Sequence, residues 1–373
     1  RDPKVFRYDS PTGPYWVMVA VEATERKVVL YRSEDLMRWT YLSEFTSAEP
    51  VGRIWECPDL FPLPVDGDPE NVKWVLIVNL DRETGEGGSA GIFFIGDFDG
   101  VAFTPAGGPP SAAADQPEWE WLDHGRDCYA TVSFNNTPDD RRILVGWMSN
   151  WDYARAVPTS PWRGAMALPR EATLHRRGPR VVLRQRAVPG LAPGEPAQAL
   201  GARDLPEGSL GLGPSGGLEP YLIEAIFDSG TSAEFGLLIR EGVDQATRIA
   251  YTMERGELVV DRTSAGKGCF SPSFPSTETV AIELVGGRLS LSIYVDASSV
   301  EVFAQDGLAT ITEQIFPSPA STGISAYSVG GTAQLVSLRF TPLASAAVTR
   351  LPSDPVPGGT GALGRQSSSA VAD

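Results

Sequence analysis

Histidine and cysteine, the side chains that most often build metal centres and catalytic triads, are scarce in this sequence. The 373 residues include two histidines, His124 and His175, and three cysteines, Cys57, Cys128 and Cys269. Two histidines give little material for a histidine-rich metal site or a Ser-His-Asp triad. An odd set of widely spaced cysteines, with no C-x-x-C pair, does not form a disulfide framework. The scarcity of both residues therefore argues against a histidine-rich metal site, a Ser-His-Asp triad and a disulfide-stabilised fold.

Long apolar runs and an excess of basic residues are also missing. No stretch approaches the ~20 consecutive apolar residues that a membrane span needs. The 31 Lys and Arg residues are outnumbered by 47 Asp and Glu residues, which gives a formal net charge of −16 and a pI near 4.7. Such a chain repels phosphate backbones and anionic lipid surfaces. We therefore expect no nucleic-acid partner and no membrane partner.

Glycine and proline, in contrast, are abundant, with 39 and 31 residues. Both break helices and mark turns, so many short strands joined by tight turns are expected. Apolar runs of strand length recur, for example at residues 15–21, 73–79 and 142–148. No long amphipathic helical repeat competes with them. The pattern predicts an all-β chain built as a propeller or a sandwich.

The composition divides the chain into four predicted regions. Residues 1–178 hold short strands between Gly, Asp and Pro clusters, with a surface loop at 105–117. Residues 179–220 are rich in Arg, Pro and Gly and are interpreted as the inter-domain connection and the start of the next domain. Residues 221–343 contain about eight alternating strands, which favours a β-sandwich. Residues 344–373, rich in Ser, Gly, Pro and Ala, are predicted to be a disordered tail or a linker.

The segment WECPDLF, residues 55–61, places the carboxylate of Glu56 between an aromatic ring and a Cys-Pro turn. Partial shielding from water favours the protonated form of a carboxyl group, which a general acid at neutral pH requires. From residue types alone, a surface or salt-bridge role for Glu56 is the commoner outcome. The segment is therefore a candidate that needs support from the rest of the chain.

Three further segments could contribute to a site. The guanidinium of Arg1 could orient Asp2 or hold sugar hydroxyls, although a frayed polar terminus is the simpler interpretation. Asp127 lies at a strand entry in GRDCYAT, where aspartates in turns are common. Trp151 lies beyond the apolar run in GWMSNW and is a better candidate for a sugar subsite than Trp147, whose default is core packing.

Together, the order and spacing of these segments resemble glycoside hydrolase family 32, which contains invertases, inulinases, levanases and fructosyltransferases. RDPKV is similar to the family's Arg-Asp-Pro motif, and WECPDLF to its Glu-Cys motif. DCYATVSF resembles the Asp-Tyr-Tyr-Ala segment, with Cys128 in place of the commoner aromatic residue. GWMSNW and PWRGAMALPRE look like the close of the catalytic propeller in bacterial members, and LVVDR and DASSVEVF like its sandwich signatures. The resemblance covers residues 1–342.

The resemblance implies part of a five-bladed β-propeller followed by a C-terminal β-sandwich. It also implies a retaining reaction on terminal β-fructofuranosyl units, with no metal and no organic cofactor. Glu56 would be the acid/base, and Asp2 the transition-state stabiliser. Cys57 would lie behind Glu56 and modulate it, or be inert packing. The implied substrate-binding residues are Arg1, Asp127 and Trp151.

One family motif does not occur in the sequence. The family's nucleophile is the aspartate of an Asn-Asp-Pro segment upstream of the Arg-Asp-Pro motif, and Asp354-Pro355 lies in the tail without that context. No residue is therefore assigned as the nucleophile. The sequence starts at Arg1 without a methionine or a visible signal peptide. We expect this start to be a truncation, a processing site or a boundary chosen for expression, and we expect the isolated chain, with open sheet edges, to be inactive.

The expected function is release of terminal fructosyl units from levan, inulin or sucrose. A fructosyltransferase of the same family would use the same carboxylates. A non-catalytic fructan-binding protein is favoured by the missing nucleophile and opposed by the presence of both Asp2 and Glu56. Because polymeric fructans do not enter cells, we expect an extracellular location. The sequence predicts neither the preferred fructan nor the oligomeric state.

Overall fold

The chain folds almost entirely into β-strands. The computed structural model describes residues 1–81, 87–107, 116–190, 198–213 and 220–343. These residues form four sheets and one turn of 3-10 helix, Ala23–Glu25. Within these ranges, no helix has the length and apolar character that a membrane span requires. The predicted tail lies outside the described residues, as does most of the predicted loop at 105–117.

The first sheet is an antiparallel meander of four strands in chain order. Its strands are β1 (Lys4–Ser10), β2 (Gly13–Glu22), β3 (Lys27–Ser33) and β4 (Thr40–Phe45). Alternate residues of β2, such as Val17 and Val19, have no exposed surface, because successive side chains of a strand point to opposite faces. One face of the sheet thus packs into a core shared with the second sheet, through residues such as Trp55 and Phe94.

The second sheet joins two antiparallel meanders. Its strands are β5 (Ile54–Val65), β6 (Asp68–Asp81), β7 (Ser89–Phe98), β8 (Phe103–Pro105), β9 (Glu120–Trp121), β10 (Tyr129–Ser133), β11 (Arg142–Met148), β12 (Ala165–Met166), β13 (Arg170–Arg177) and β14 (Arg180–Ala187). The meanders β5–β9 and β10–β14 meet where Val65 of β5 pairs in parallel with Leu174 of β13. This junction brings β5 and β10 near each other, which positions the site described below.

The third and fourth sheets face each other as a β-sandwich. The third contains β15 (Gln198–Leu200), β16 (Arg203–Leu205), β18 (Tyr221–Asp228), β23 (Arg288–Val295), β24 (Ser299–Ala304), β25 (Ala309–Gln314) and β27 (Ala333–Pro342). The fourth contains β17 (Gly208–Gly211), β19 (Glu234–Gly242), β20 (Gln245–Thr252), β21 (Glu257–Asp261), β22 (Thr277–Ala281) and β26 (Gly323–Val329). Ile223 and Ile293 of the third sheet share one hydrophobic core with Leu237 and Ile249 of the fourth.

The sequence pattern predicts about half of these strands, including strands at residues 40–45, 142–148 and 288–295, which are the bounds of β4, β11 and β23 in the structure. It misses several others, among them β5, β13, β25 and β26; in β25 four of the six residues are polar although all six are buried. The predicted connection at 179–220 contains β14, which continues the second sheet, and β15, β16 and β17, which join the sandwich. The domain boundaries stay a prediction.

The sandwich core should carry much of the stability of the chain. Ile293 has no exposed surface, so Ile293→Ala removes buried methylenes and leaves a cavity, which we expect to lower the free energy of unfolding by about 2–5 kcal/mol. Val243, between β19 and β20, is 87% exposed, and Val243→Ala should change this free energy by less than about 0.5 kcal/mol. Urea unfolding followed by far-ultraviolet circular dichroism, which reports the strands of both parts of the chain, measures both changes. Equal losses would contradict the assignment of the core.

Candidate active site

The second sheet and the residues just before β1 bring the predicted catalytic side chains together. Glu56 and Cys57 lie in β5, and Tyr129 is the first residue of β10. Arg1 and Asp2 precede β1, and the backbone oxygen of Arg1 accepts a hydrogen bond of 3.0 Å from the end of β2. Residues far apart in sequence thus meet in one cluster at the edge of the first two sheets.

The guanidinium of Arg1 bridges the two carboxylates that were predicted to take part in catalysis. Its Nη2 lies 2.9 Å from Oε1 of Glu56, and its Nε lies 3.3 Å from Oδ2 of Asp2. The positive charge reduces the repulsion between the two carboxylates and holds them side by side. Glu56 is 9% exposed, whereas the side chain of Arg1 is 57% exposed. The cluster is therefore open to solvent on the side of Arg1.

Three residues at the site have backbone angles in the left-handed region. The φ angles are 53° at Asp2, 43° at Cys57 and 51° at Ala130. Non-glycine residues adopt this region at an energetic cost and keep it only where the surrounding structure holds them. The pairing of β5 shifts register just after Glu56, and that of β10 shifts just after Tyr129. Such irregularities re-aim side chains next to functional sites.

Tyr129 supplies a second contact to the buried carboxylate. Its hydroxyl donates a hydrogen bond to Oε2 of Glu56, so each oxygen of Glu56 has its own partner. Burial, and then the hydrogen bond to Glu56, raise the pKa of Tyr129, which keeps the phenol protonated and able to donate. Sequence reasoning did not select Tyr129, although it lies two residues after Asp127 in the DCYAT segment.

Cys57 follows Glu56 in the sequence, but the hydrogen bonds that it donates go to Asp2. Its backbone N–H donates a 3.1 Å hydrogen bond to Oδ2 of Asp2, and its Sγ lies 3.8 Å from the same oxygen. Burial, and then the charge of Asp2, raise the pKa of the Cys57 thiol to about 12. The side chain is therefore a neutral thiol that helps to fix Asp2.

Asn79 of β6, which no sequence motif singles out, joins the two strands of the site, β5 and β10. The residue has no exposed surface. Its Nδ2 donates to the backbone oxygens of Cys57 (3.1 Å) and Thr131 (3.2 Å), and its Oδ1 accepts from the N–H of Thr131 (3.0 Å). These bonds satisfy backbone groups at the two register shifts, one in the pairing of β5 with β6 and one in the pairing of β10 with β11. The amide thus fixes the spacing between Glu56 and Tyr129.

A second polar tie uses the other carboxylate of the WECPDLF segment. Asp59 is fully buried, and its Oδ2 accepts a 2.6 Å hydrogen bond from the N–H of Ser133 in β10. The same oxygen lies 3.3 Å from Nζ of Lys4 in β1, which also donates to the backbone oxygen of Ser133. Asp59 therefore holds β1, β5 and β10 together, and its burial indicates a structural role.

Trp151 lies at the surface, as the sequence pattern indicates. The residue is 52% exposed, and its ring centroid is 5.0 Å from that of Trp147. The ring of Trp147 is in turn 6.3 Å from that of Tyr129. A row of aromatic rings thus leads from the contact with Glu56 to the solvent, and exposed rings of this kind suit the apolar faces of sugars.

The structure does not bring Asp127 to this cluster. Its side chain has no exposed surface, and its oxygens are bound by Arg262, by the hydroxyl of Tyr153 and by the N–H of Gln314. A carboxylate with no exposed surface cannot meet a sugar hydroxyl. In this structure Asp127 attaches the second sheet to the sandwich, and substrate binding by Asp127 stays a prediction that this burial does not favour.

In this all-β chain two carboxylates share one guanidinium, and a row of aromatic rings leads from the buried carboxylate of Glu56 to the exposed ring of Trp151. No group of three His, Cys, Asp or Glu side chains in the described ranges is arranged to hold a metal ion. The model of the glycosyl hydrolases family 32 N-terminal domain matches residues 1–185, and that of the family 32 C terminal matches residues 202–342. The chain belongs to glycosyl hydrolase family 32.

Two curated relatives and one solved structure describe the likeness further. A levanase from Bacillus subtilis (strain 168) is 40% identical over 358 residues, which cover 92% of this chain and 50% of the levanase. An extracellular exo-inulinase from Aspergillus awamori is 34% identical over 346 residues, covering 90% and 63%. The crystal structure of exo-inulinase from Aspergillus awamori matches with a TM-score of 0.84 and 33% identity, covering 92% of this chain and 67% of that one.

These matches confirm the predicted family and fold class, with propeller sheets first and a sandwich second. A β-fructofuranosidase structure from Schwanniomyces occidentalis, 24% identical with a TM-score of 0.78, agrees on the fold. The chain spans about half to two thirds of the length of the curated relatives named here.

The clamp made by Asn79 can be tested by substitution. Asn79→Ala leaves buried backbone groups of Cys57 and Thr131 without partners, so we expect the free energy of unfolding to fall by about 2–4 kcal/mol. Asn135→Ala is the matched control, because Asn135 is exposed and its Nδ2 bonds the backbone oxygen of Val5. It should cost about 0.5–1 kcal/mol. Urea unfolding compares the two variants, and equal losses would argue against the clamp.

The thiol of Cys57 should react slowly with iodoacetamide at pH 8. Its pKa of about 12 leaves only about one part in ten thousand as thiolate at that pH, and alkylation should accelerate as the pH rises. Cys269 is exposed and should be modified first. Asp2→Asn removes a charge that raises the pKa of Cys57, so it should speed alkylation.

Peptide mass spectrometry of timed samples follows each cysteine separately. Asp9→Asn is the control, because Asp9 is a mostly exposed aspartate at the far end of β1 that pairs with Arg7. If Asp2→Asn and Asp9→Asn gave the same rate at Cys57, the contact between Cys57 and Asp2 would be contradicted.

Proposed function

We propose that this chain carries the acid/base and substrate-binding side of an active site that releases terminal β-D-fructofuranosyl units by a retaining mechanism. The single observation that supports this most is the cluster in which Arg1 bridges Glu56 and Asp2 while Tyr129 donates to Glu56. Membership of family 32 supplies the class of reaction.

Glu56 is the acid/base in this proposal. In the first step its carboxyl group gives a proton to the leaving oxygen of the glycosidic bond, and in the second step the carboxylate takes a proton from water. Tyr129 and Arg1 hold the two oxygens of Glu56 in one orientation.

Asp2 and Arg1 bind the sugar in this proposal. The transition state of glycoside cleavage carries positive charge on the ring, so a carboxylate that holds ring hydroxyls binds it more tightly than the substrate. Asp2 is fixed for this task by its bond from Cys57. The guanidinium of Arg1 is exposed and presents donors to hydroxyl oxygens. Trp151 offers an exposed ring at a greater distance from the cluster.

A retaining reaction also needs a nucleophilic carboxylate about 5–5.5 Å from the acid/base. The sequence holds no Asn-Asp-Pro segment of the family pattern. We propose that the nucleophile comes from sequence outside these 373 residues. The substrates proposed are levan, inulin or sucrose, because the relatives are named levanase and exo-inulinase. An extracellular location is proposed on the same basis, since one relative is named extracellular.

Two assays on the chain test the proposal. Isothermal titration with a short fructo-oligosaccharide should detect binding, and Asp2→Ala should weaken it about tenfold or more because a charged hydrogen bond is lost. Asp9→Ala is the matched control and should leave binding unchanged. Fructose release from levan, inulin and sucrose should be absent. Absence of binding would overturn the sugar site, and rapid fructose release would overturn the proposed source of the nucleophile.

Intact mass and N-terminal sequencing of the native protein distinguish the enzyme from a non-catalytic binding protein. A longer chain with an Asn-Asp-Pro segment upstream would support the enzyme. A native start at Arg1 together with binding would favour the fructan-binding alternative.

A further inference from the structure

A fully buried arginine of the sandwich, Arg262, contacts the second sheet through charged groups. Its Nη1 lies 2.5 Å from Oδ2 of Asp127 and 2.6 Å from Oε2 of Glu313, and its Nη2 donates a 2.9 Å hydrogen bond to the hydroxyl of Tyr153. The side chains of all three charged residues have no exposed surface. Burial raises the pKa of Glu313 well above its usual range, while Arg262 opposes this shift. The guanidinium of Arg262 thus lies between the acidic side chains of Asp127 and Glu313 in a region closed to solvent.

Asp127 is attached to the sandwich through one oxygen of its side chain and through its backbone N–H, while its other oxygen binds Tyr153. Beside Arg262, it accepts 2.8 Å bonds from the hydroxyl of Tyr153 and from the N–H of Gln314. Its own N–H donates to the backbone oxygen of Thr312 at 3.1 Å. The residues before β10 thus run along β25 and take their position from it.

Tyr129 lies between this attachment and the Asn79 clamp. Asp127 fixes the chain two residues before Tyr129, and Thr131, held by Asn79, fixes it two residues after. The intervening Ala130 has a left-handed φ of 51°, which places the phenol out of the regular strand direction. The position of the hydroxyl of Tyr129 on Glu56 therefore depends on both ends of a five-residue segment, and one end belongs to the interface with the sandwich.

We propose that Arg262 is a positioning residue for the acid/base: by holding Asp127 it places the hydroxyl of Tyr129 on Glu56. The catalytic meaning of this contact rests on the proposed function, whereas the contact itself does not. A second buried arginine, Arg170, also joins the two parts of the chain, through Asp123 and Glu301. The sandwich is thus attached through more than one buried arginine. Arg262 differs from Arg170 because it binds Asp127, which lies two residues before Tyr129.

The test measures the Tyr129–Glu56 contact by NMR in the 373-residue chain. Tyrosine labelled with 13C at Cζ and glutamate labelled at Cδ give one signal for each residue, and Tyr129→Phe and Glu56→Gln assign the two signals. We expect Arg262→Lys to move both signals, because one ammonium group cannot contact Asp127, Glu313 and Tyr153 in the fixed geometry of the guanidinium. The shift at Glu56 should be about as large as the shift caused by Tyr129→Phe.

A double variant separates a positioning role from general destabilisation. If Arg262 acts through Tyr129, adding Arg262→Lys to Tyr129→Phe should leave the signal of Glu56 where Tyr129→Phe puts it. Arg240→Lys is the matched control, because Arg240 is a buried sandwich arginine whose guanidinium donates to the backbone oxygen of Asp296 and lies over the ring of Tyr221. It should lower stability and leave both signals in place.

Tyr153→Phe is the second variant, in case Arg262→Lys does not fold. It removes only the hydroxyl between Arg262 and Asp127 and keeps the ring packed against Phe274. It should shift both signals in the same direction by a smaller amount. Folded variants at Arg262 or Tyr153 in which both signals stay in place would overturn the proposal. The readout needs neither sugar binding nor turnover, so failure of the proposed function would be seen separately, in the titration with fructo-oligosaccharide.

Discussion

The candidate site depends on how one buried carboxylate, Glu56, is held. A carboxylate that is removed from water needs hydrogen-bond partners for both oxygens, because an unpartnered buried oxygen lowers the stability of the folded state. Arg1 provides one partner from the segment before β1, and Tyr129 provides the other from β10. These partners come from different parts of the chain, so the first two sheets must be placed accurately for Glu56 to be satisfied. The left-handed backbone at Cys57 and Ala130 and the amide of Asn79 serve that placement.

Much of the fold could be predicted from the sequence, because period-2 alternation and turn residues report local structure directly. The strand β11 and the sandwich strand β23 follow from such patterns. The strand β25 could not be predicted in this way, because its polar residues are buried against the second sheet and not against an apolar core. Its Thr312 and Glu313 have no exposed surface and bond Asp123 and Arg262. Alternation of apolar and polar residues identifies strands that lie between an apolar core and water. It does not identify β25, whose polar side chains contact buried charged groups.

The same limit explains the outcome at the site residues. Motif resemblance selected Arg1, Asp2 and Glu56, and the structure brings these three together. It also selected Asp127, whose surroundings are set by residues more than a hundred positions later in the chain. It did not select Asn79, since a single asparagine inside an apolar strand gives no sign of which backbone groups it will meet. Long-range polar contacts leave no local periodicity, and only the folded chain shows them.

The propeller sheets and the sandwich are joined by buried ion pairs, Arg170 with Glu301 and Arg262 with Asp127. Buried ion pairs gain little net stability over apolar packing, because the cost of removing two charges from water cancels most of their attraction. They do penalise displacement strongly, since a small shift leaves a charge without its partner. Across this interface Arg170 pairs with Glu301 and Arg262 pairs with Asp127, and each arginine also contacts a second acidic side chain on its own side. An interface of this kind fixes the relative position of the two parts of the chain more than it strengthens their association. Tyr129 lies two residues after Asp127 and contacts Glu56, so the position of the sandwich affects the proposed acid/base through Tyr129.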